Sequence, residues 1–564
     1  MPEHLVDFKS KDYFLGRLGS LDVERSSFIA HYQETSEFVQ PRRGRFSVED
    51  RNKGDKRWGS IINARASLAH RVARSGMLAG VMSPARPWFS LSLMDEAMME
   101  QQDVRTWLSS GEKILRMIFN ESNLYSMAPH LIGEMLTFGT GAMLHVDDFD
   151  DVARFYTQTA GSYYLSQNHR YEIDTLVREF QMTVQQVVRK FGYPNCSTAV
   201  KDAYDKGNYE GWHTVIHFIE PNPSSDSRKP ENVFKDWRSV YFEKGTDSGK
   251  DKSAFLRESG FDAFPAHCPR WDVTGEDVYA TDWPAAMALG DIKMLQVEEK
   301  RKAQGIDKMV NPPMKGPPGL AQRRISTLPG GMTVYEGNEQ NKLEPLYNVR
   351  LPIYELRQDI EAVERRIDEI FFKDLFLAIT NIEGIQPRNQ FDLVQRNEER
   401  LLQLGPVLER LHSEFLGPLV ERTFDQAVKA EILPPAPPAI EGSELRVEFV
   451  SSLAMAQRAV ATSSIDRITA YVGGLVGAGF EGVIQKFDAD QAVDEYAKAI
   501  GVPPRIIRPD EVVAAERQQQ QQQAMAQQSL QMGQGAANIA KTVSETETGE
   551  SENLLTDMGK VVGG

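Results

Sequence analysis

The stretch from Trp283 to Asn389 constrains the fold more than any other part of the chain, because it pairs two long helical patterns across a proline- and glycine-rich insert. In the second pattern Ile353, Leu356, Ile360, Val363, Ile367 and Ile370 recur at spacings of three and four, the narrow seam of a helix that packs edge-on against another. Most other positions there are charged, among them Glu355, Asp359, Glu361, Glu364, Asp368 and Glu369 with Arg357, Arg365 and Arg366. No broad apolar face remains for burial in the core of a single chain, so this helix is expected to stand beside other helices, including copies of itself. The first helix is expected from Pro284, whose missing N–H would have no partner in a first turn, to Val310, where Asn311-Pro312-Pro313 stops it. At about 1.5 Å per residue the two are rods of about 40 and about 30 Å. The insert has turn chemistry at both ends and short strand-like pieces such as Met332 to Tyr335, so it needs neighbours to hold its shape.

The chain of 564 residues is too long for one compact core and should divide into several parts. An amphipathic helix is expected over Leu21–Val39, with Leu21, Phe28, Tyr32, Val39 and the stem of Arg25 on one side and Pro41 ending it. Residues 41–58 carry seven basic and three acidic side chains with Phe46 and Trp58 interleaved. A solvated loop packing on a neighbouring subunit is the preferred reading, with a nucleic-acid arm as the alternative. Helical patterns follow at Ser60–Met82, Asp95–Phe119 and Leu124–Phe138. Strand-like alternation then appears at Ala142–Val146, Arg154–Gln158, Ser162–Gln167, Glu172–Phe180, Trp212–Glu220, Ser239–Glu243 and Ala254–Glu258, with a capped helix from Thr183 to Phe191 closed by Gly192. The class is therefore α+β. Past the second long helix, Gly384 and Pro387 break the pattern over Lys373–Gln390. A third helix is expected over Phe391–Glu431, with Leu404, Leu408, Leu411, Phe415 and Leu419 buried and kinks at Pro406 and Pro418. Pro434–Pro438 makes a stiff linker and Glu444–Val450 one more strand. From Ser451 the composition turns to Ala, Ser and Gln with short helices, one entering the run Gln518–Gln523, which extends a helix if neighbours support it and is disordered if they do not. Beyond Gly533 a flexible tail is expected.

The motifs that resemble catalytic or metal sites each have a plainer reading. Gly139-Thr140-Gly141 lacks the Lys-Ser/Thr of a phosphate loop and precedes a strand, so it is a turn. Asp147, Asp148, Asp150 and Asp151 beside His145 lack the closing Gly and Glu of a calcium loop and read as a solvated acidic turn. His213 and His217 have the spacing of a helical zinc pair, but their segment is β-branched, and in a strand they would sit about 13 Å apart. No Gly-x-Ser-x-Gly, Walker A or His-Glu-x-x-His sequence occurs. Cys196 and Cys268 have no metal-ligand spacing and read as buried free thiols. No apolar run is long enough to span a bilayer and the N-terminus lacks signal-peptide character, so synthesis in the cytoplasm and no membrane insertion are expected. No cofactor is expected.

Ala288-Leu289-Gly290-Asp291-Ile292-Lys293, Lys308-Met309-Val310-Asn311-Pro312-Pro313 and Leu404-Gly405-Pro406-Val407-Leu408-Glu409-Arg410-Leu411 closely resemble the portal, or head-to-tail connector, of short-tailed bacteriophages. The resemblance spans about Arg17 to Glu511. It implies the phage portal fold: an α+β wing (1–283), a first stem helix (284–310), a clip (311–350), a second stem helix (351–372) and a channel loop (373–390). A kinked wing helix with a return strand (391–450), a helical crown (451–532) and a tail (533–564) complete it. The implied function is a non-enzymatic dodecameric ring at a unique capsid vertex of the virion, assembled in the host cytoplasm, through which double-stranded DNA is packaged and ejected. The implied partners are the terminase large subunit, tail adaptor and tube proteins, major capsid and scaffold proteins, and internal core or ejection proteins at the crown. On the clip, Lys315, Arg323 and Arg324 are the expected motor or tail contacts, with a solvated face as the alternative. In the channel loop Lys373, Arg388, Asn389 and Gln390 are expected to face DNA, with pairing of Arg388 to Asp392 as the alternative. Twelve copies at −16 each sum to about −192, a sign that repels a polyanion sliding through a pore. A terminase-like packaging ATPase or nuclease would need a phosphate loop or clustered metal ligands. A capsid assembly scaffold without a channel shares the composition.

Overall fold

The computed structural model describes residues 10–49, 54, 56–99, 101–245, 255–316, 318, 326, 331–332, 343–347, 352–381, 404–440, 445–449, 452–500, 513–523 and 525. The chain divides into two compact units. The first comprises Met1–Ser90, Gly111–Pro434 and Val447–Ala456, and the second Leu91–Ser110, Pro435–Arg446 and Gln457–Gly564.

In the first unit α1 (Lys11–Val39) starts ten residues before its expected beginning, because the Ser10 side chain accepts the Tyr13 N–H and caps it. Its early apolar residues Phe14, Leu18 and Leu21 lie on a five-stranded sheet. Arg25, counted for its stem, buries its head as well: Nη1 donates to the Gly161 and Tyr163 carbonyls at 2.7 and 2.9 Å, and the guanidinium lies 3.7 Å from the Tyr164 ring. Helix α2 (Arg65–Val81) follows, then β1 (Phe89–Leu93), the single turn α3 (Glu96–Met99), α4 (Gln102–Glu121) and α5 (Leu124–Phe138). The last keeps the bounds its periodicity predicts. Gly139 ends it at φ 76°, and Trp271 N–H donates to the Gly139 carbonyl at 2.7 Å, so the Gly-Thr-Gly segment is a structural turn.

Strands β2 (Ala142–Asp148) and β3 (Val152–Gln158) form an antiparallel hairpin, with β9 (Ala266–His267) on the far side of β2. The larger sheet runs β4 (Tyr163–Gln167), β5 (Ile173–Thr183), β6 (Trp212–Pro221), β7 (Trp237–Glu243) and β8 (Arg257–Phe261), with all neighbours antiparallel. Register sets Leu176 opposite Ile219 and Val177 opposite Phe218. One face therefore packs Leu165, Leu176 and Ile219 with Leu144 and Tyr279, and the other packs Val177, Phe218, Val240 and Phe242 with α1. The last expected strand is displaced, from Ala254–Glu258 to Arg257–Phe261. Helix α6 (Val184–Phe191) has a full capping box between Thr183 and Gln186, and α7 (Thr198–Asp205) packs beside it. His213 and His217 lie on strand β6, as β-branching predicts. His217 stacks on Tyr241, its Nδ1 accepts from Arg178 Nε at 3.0 Å, and its Nε2 meets Ser239 Oγ at 2.9 Å.

Pro284 opens α8 (Pro284–Met287), which passes through Ala288 into α9 (Leu289–Val310) with the i to i−4 bonds at Ala288 and Ile292 intact. The insert contributes a two-residue antiparallel ladder, β10 (Met314–Lys315) on β11 (Glu344–Pro345). Helix α10 (Ile353–Ile370) follows. The chain then turns at Phe372, φ 52°, into α11 (Lys373–Asn381). Where a loop is expected from Lys373, a helix thus forms, because Leu375 and Phe376 are buried and α11 packs on α2. Gly76 permits that approach, since a Cβ there would stand 2.3 Å from the Phe376 Cβ.

The expected third helix is described only from α12 (Gly405–Leu411) onward. One π turn (His412–Leu416) joins it to α13 (Gly417–Lys429). Pro406 and Pro418 sit in the first turns of α12 and α13, where no N–H is needed, and the Gly417 N–H reaches back five residues to the His412 carbonyl.

In the second unit Ser92 Oγ donates to the Arg446 carbonyl at 3.4 Å, tying β1 to β12 (Leu445–Phe449). The remainder is helical, with α14 (Ser452–Gly477), which starts in the first unit, then α15 (Ala489–Ile500) and a helix over residues 513–523 that carries the glutamine run. Arg517 forms a two-toothed pair with Asp490 at 2.6 and 3.0 Å. No described helix is long and apolar enough to cross a membrane.

Candidate assembly surface on the paired helices

The seam of α10 divides along its length. Ile360, Val363 and Ile367 are buried within the chain against α9 and α2, Leu356 and Ile370 are half-buried, and Ile353 is exposed. The helix stands beside other helices as expected, but the expectation that it has no face for burial within a single chain fails for the C-terminal half, which α9 and α2 of the same chain cover. There α2 supplies a broader partner than the seam alone implies.

A polar network fixes the same end. The Arg65 guanidinium grips both carboxylate oxygens of Asp368, one bond measuring 2.9 Å, and stands 3.7 Å from Glu364. That grip raises the Arg65 pKa, with the hydrogen bond to Asp368 as the main cause. Asn63 Nδ2 donates to Glu364 at 2.9 Å and Glu299 at 3.3 Å. The Gln296 Oε1 atom accepts the Ile62 and Asn63 N–H groups at 2.7 and 2.8 Å, and its Nε2 returns a bond to the Asn63 carbonyl. Further along the pair, Arg366 binds Asp291 at 2.9 Å. Glu298 has its pKa raised, first by burial and then by the charge of Asp359. Asn63, Arg65 and Gln296 carry no signal in the sequence, and Asp368 stands out there only as one of many charges on its helix; nothing local marks their pairing, since Arg65 and Asp368 are 303 positions apart.

Lys373, expected to face DNA, instead donates to Asp368 Oδ2 at 2.9 Å and is largely covered. Its charge is used inside the chain. Arg388, Asn389 and Gln390 lie outside the described residues, as does Asp392. On the insert, Lys315 is exposed and pairs with Glu344 at 3.0 Å across the β10–β11 ladder, while Arg323 and Arg324 lie outside the described residues.

Apolar side chains stay exposed at several places on the helix pair: Met294, Val297, Ile306, Met309 and Val310 on α9 and Ile353 and Tyr354 on α10 are 39–74% exposed. At about 100° per residue Val297 and Ile306 lie on opposite sides of α9, whereas Ile306, Met309 and Val310 fall within about 100° of one another at its C-terminal end. Single exposed apolar groups are ordinary, but three on one face are a candidate contact surface. Among the described residues no cluster of three or more metal-ligating side chains occurs.

A chain built from an α+β body, a long helix pair and an insert whose two ends pair as a short ladder, with apolar side chains exposed on the helix pair, is a building block for larger assemblies. The family model described as bacteriophage head to tail connecting protein matches residues 11–507, and the chain belongs to that family. Its function is that of a phage portal, the connector between head and tail. The portal protein of Salmonella phage epsilon15 is 42% identical over 545 residues, 96% of this chain and 97% of the relative. The probable portal protein of Bordetella phage BPP-1 is 42% identical over 563 residues, 99% of this chain and all of the relative. A chain from the neck of an empty GTA particle matches at a TM-score of 0.33 with 12% identity, covering 76% of this chain and 92% of that one, and carries no further argument. Phage portal proteins are structural connectors and components of the virion.

Proposed function

We propose that this portal works as a closed ring of twelve copies at one capsid vertex, with a central channel that passes double-stranded DNA irrespective of sequence. The observation that carries the ring is the exposed apolar group Ile306, Met309 and Val310 on one face of the C-terminal end of α9. In a ring each copy offers one surface and receives another, so apolar groups left exposed on α9 of one copy gain cover from apolar groups of the next, such as the exposed Ile353 and Tyr354 on α10. In this reading 1–283 is the wing, 284–310 and 351–372 the stems, 311–350 the clip, and 451–532 the crown, where internal core or ejection proteins dock. The wing contacts major capsid and scaffold proteins. The clip receives the terminase large subunit and later the tail adaptor, with Arg323 and Arg324 as contacts. Arg388, Asn389 and Gln390 approach the DNA, and Lys373 leaves that set because Asp368 holds it. Positive groups near DNA act on phosphates, which are the same at every sequence. The portal has no catalytic step of its own and is assembled in the host cytoplasm.

Negative-stain images of the purified chain, viewed end-on, test the ring. Twelvefold views with a central hole are expected, and replacing Ile306 and Met309 with Ser should abolish them. A wild-type chain that stays monomeric at micromolar concentration would overturn the reading.

A further inference from the structure

On the face of the larger sheet that carries Leu176 and Ile219, the next register row crosses four strands as Arg178 on β5, His217 on β6, Tyr241 on β7 and Arg257 on β8. Bonds lock the middle of this row. Arg178 Nε donates to His217 Nδ1, so the neutral His217 ring carries its hydrogen on Nε2 and gives it to Ser239 Oγ. Arg178 Nη2 donates to the Tyr241 hydroxyl at 3.3 Å, and the Tyr241 ring lies flat against His217 with the ring centres 3.7 Å apart. From the last turn of α6, Lys190 reaches over the same row: its Nζ stands 5.1 Å from the centre of the Tyr241 ring, 5.5 Å from that of Phe191 and 6.0 Å from that of Phe180. Direct contacts thus join Arg178, Tyr241 and Lys190 into one surface, and Arg257 is the pairing neighbour of Tyr241.

Three cations meet there without a carboxylate. Among the described residues none of the three side chains forms an ion pair with an acidic group, and the charges felt at Lys190 are those of Arg178 and Arg257. Such a group stands out in a chain with 80 acidic and 64 basic residues. Partial burial first, and the two guanidinium groups second, lower the Lys190 pKa to about 8. Like charges held together in this way repel one another, and an anion among them relieves the repulsion. Lys190 and Arg257 are exposed and Arg178 is half-buried, so the group is open to solvent.

A carboxylate would balance one of the three charges. A phosphate group brings more charge and more acceptor oxygens, and the planar forks of two arginines match those oxygens. We propose that Arg178, Lys190 and Arg257, with the hydroxyl hydrogen of Tyr241, form a binding site for a phosphate group on the α+β body. The group is supplied either by a free phosphate or by the backbone of a nucleic acid, and the two sources share this chemistry. The site is complete within one copy and does not rest on the ring.

Calorimetric titration of the full chain with pyrophosphate at about pH 8, in two buffers of different ionisation enthalpy, reads affinity and proton exchange together. Lys190→Met and Arg257→Gln should each weaken binding about tenfold or more, as expected for the loss of a charged hydrogen bond. Lys190→Arg should keep the binding but take up fewer protons than the wild type, because the guanidinium is charged before and after the anion arrives. Both positions are exposed, and unchanged far-UV circular dichroism checks that the variants are folded. A short DNA duplex is the second probe. Pyrophosphate binding that needs Lys190 and Arg257 assigns the site to a free phosphate; duplex binding that needs them, without pyrophosphate binding, assigns it to a nucleic-acid backbone. A wild-type chain that binds neither probe overturns the site. So does binding of either probe that Lys190→Met and Arg257→Gln leave unchanged.

Discussion

Replacing Ile360 and Ile367 with Ala should destabilise the single chain before any effect on assembly appears. Ile360 is 4% exposed and Ile367 is fully buried, and both face α9 and α2 of their own chain. Truncating a buried Ile to Ala removes its transfer free energy and leaves a cavity, about 2–5 kcal/mol at each site. The two sites are seven residues apart, about 10 Å along the helix axis, so their costs should add to within about half a kcal/mol. The sum, about 4–10 kcal/mol, approaches the entire net stability of a typical domain, about 5–15 kcal/mol. Urea unfolding followed by tryptophan fluorescence, at protein concentrations low enough for monomers, measures this directly. A large fall in the midpoint is expected in the monomer. The exposed pair Ile306→Ser and Met309→Ser should change monomer stability by only about half a kcal/mol per site while reducing ring yield. An Ile360/Ile367 variant whose monomer unfolds at the wild-type midpoint, but which fails to form rings, would refute the intramolecular seam and return those residues to the contact between copies.

Acidification should weaken the α+β body through its buried histidines. Burial holds His70, His145, His217 and His267 below the usual 6.5, His70 to about 4 and His267 to about 3, so the stability they carry is present above pH 6.5 and lost as pH falls. Glu134, pushed up to about 7 by burial, works the other way and is protonated in the fold as pH drops below 7. From pH 7 to pH 5.5 each histidine still neutral in the fold costs roughly 1 kcal/mol and Glu134 returns a comparable amount, so the four histidines outweigh it and the net is a loss of stability. Equal urea midpoints at the two pH values would contradict this. Gly76→Ala should lower the melting temperature, because overpacking against Phe376 costs about 1–3 kcal/mol and helix propensity returns about 1 kcal/mol; a higher melting temperature would mean that α11 yields freely. Arg65→Ala and Lys373→Ala should each be tolerated better than their combination, which strands the nearly buried Asp368 without a cation, and a double-mutant cycle with no coupling would rule out the shared grip.

Local chemistry in the sequence determined the helix Leu124–Phe138 with its terminal glycine, the capping box at Thr183, the strand carrying His213 and His217, the proline start at 284 and the helix Ile353–Ile370. Each is written in neighbours within about one or two turns or strand steps, where periodicity and capping act without help from the rest of the chain. The portal resemblance was likewise carried by short runs of residues. Only the tertiary structure decided that α1 begins at Lys11, that Lys373 opens a helix rather than a loop, that a π turn precedes Pro418, and that half of the α10 seam is spent inside the chain. These depend on groups far apart in sequence: Arg65 with Asp368, Gly76 with Phe376, Gln296 with Asn63, and Glu414 with Arg270, whose backbone N–H it accepts at 2.8 Å. A charged or apolar residue announces in the sequence that it needs a partner, but which partner it finds is settled by packing, because burial and ion pairing are properties of the assembled space around it.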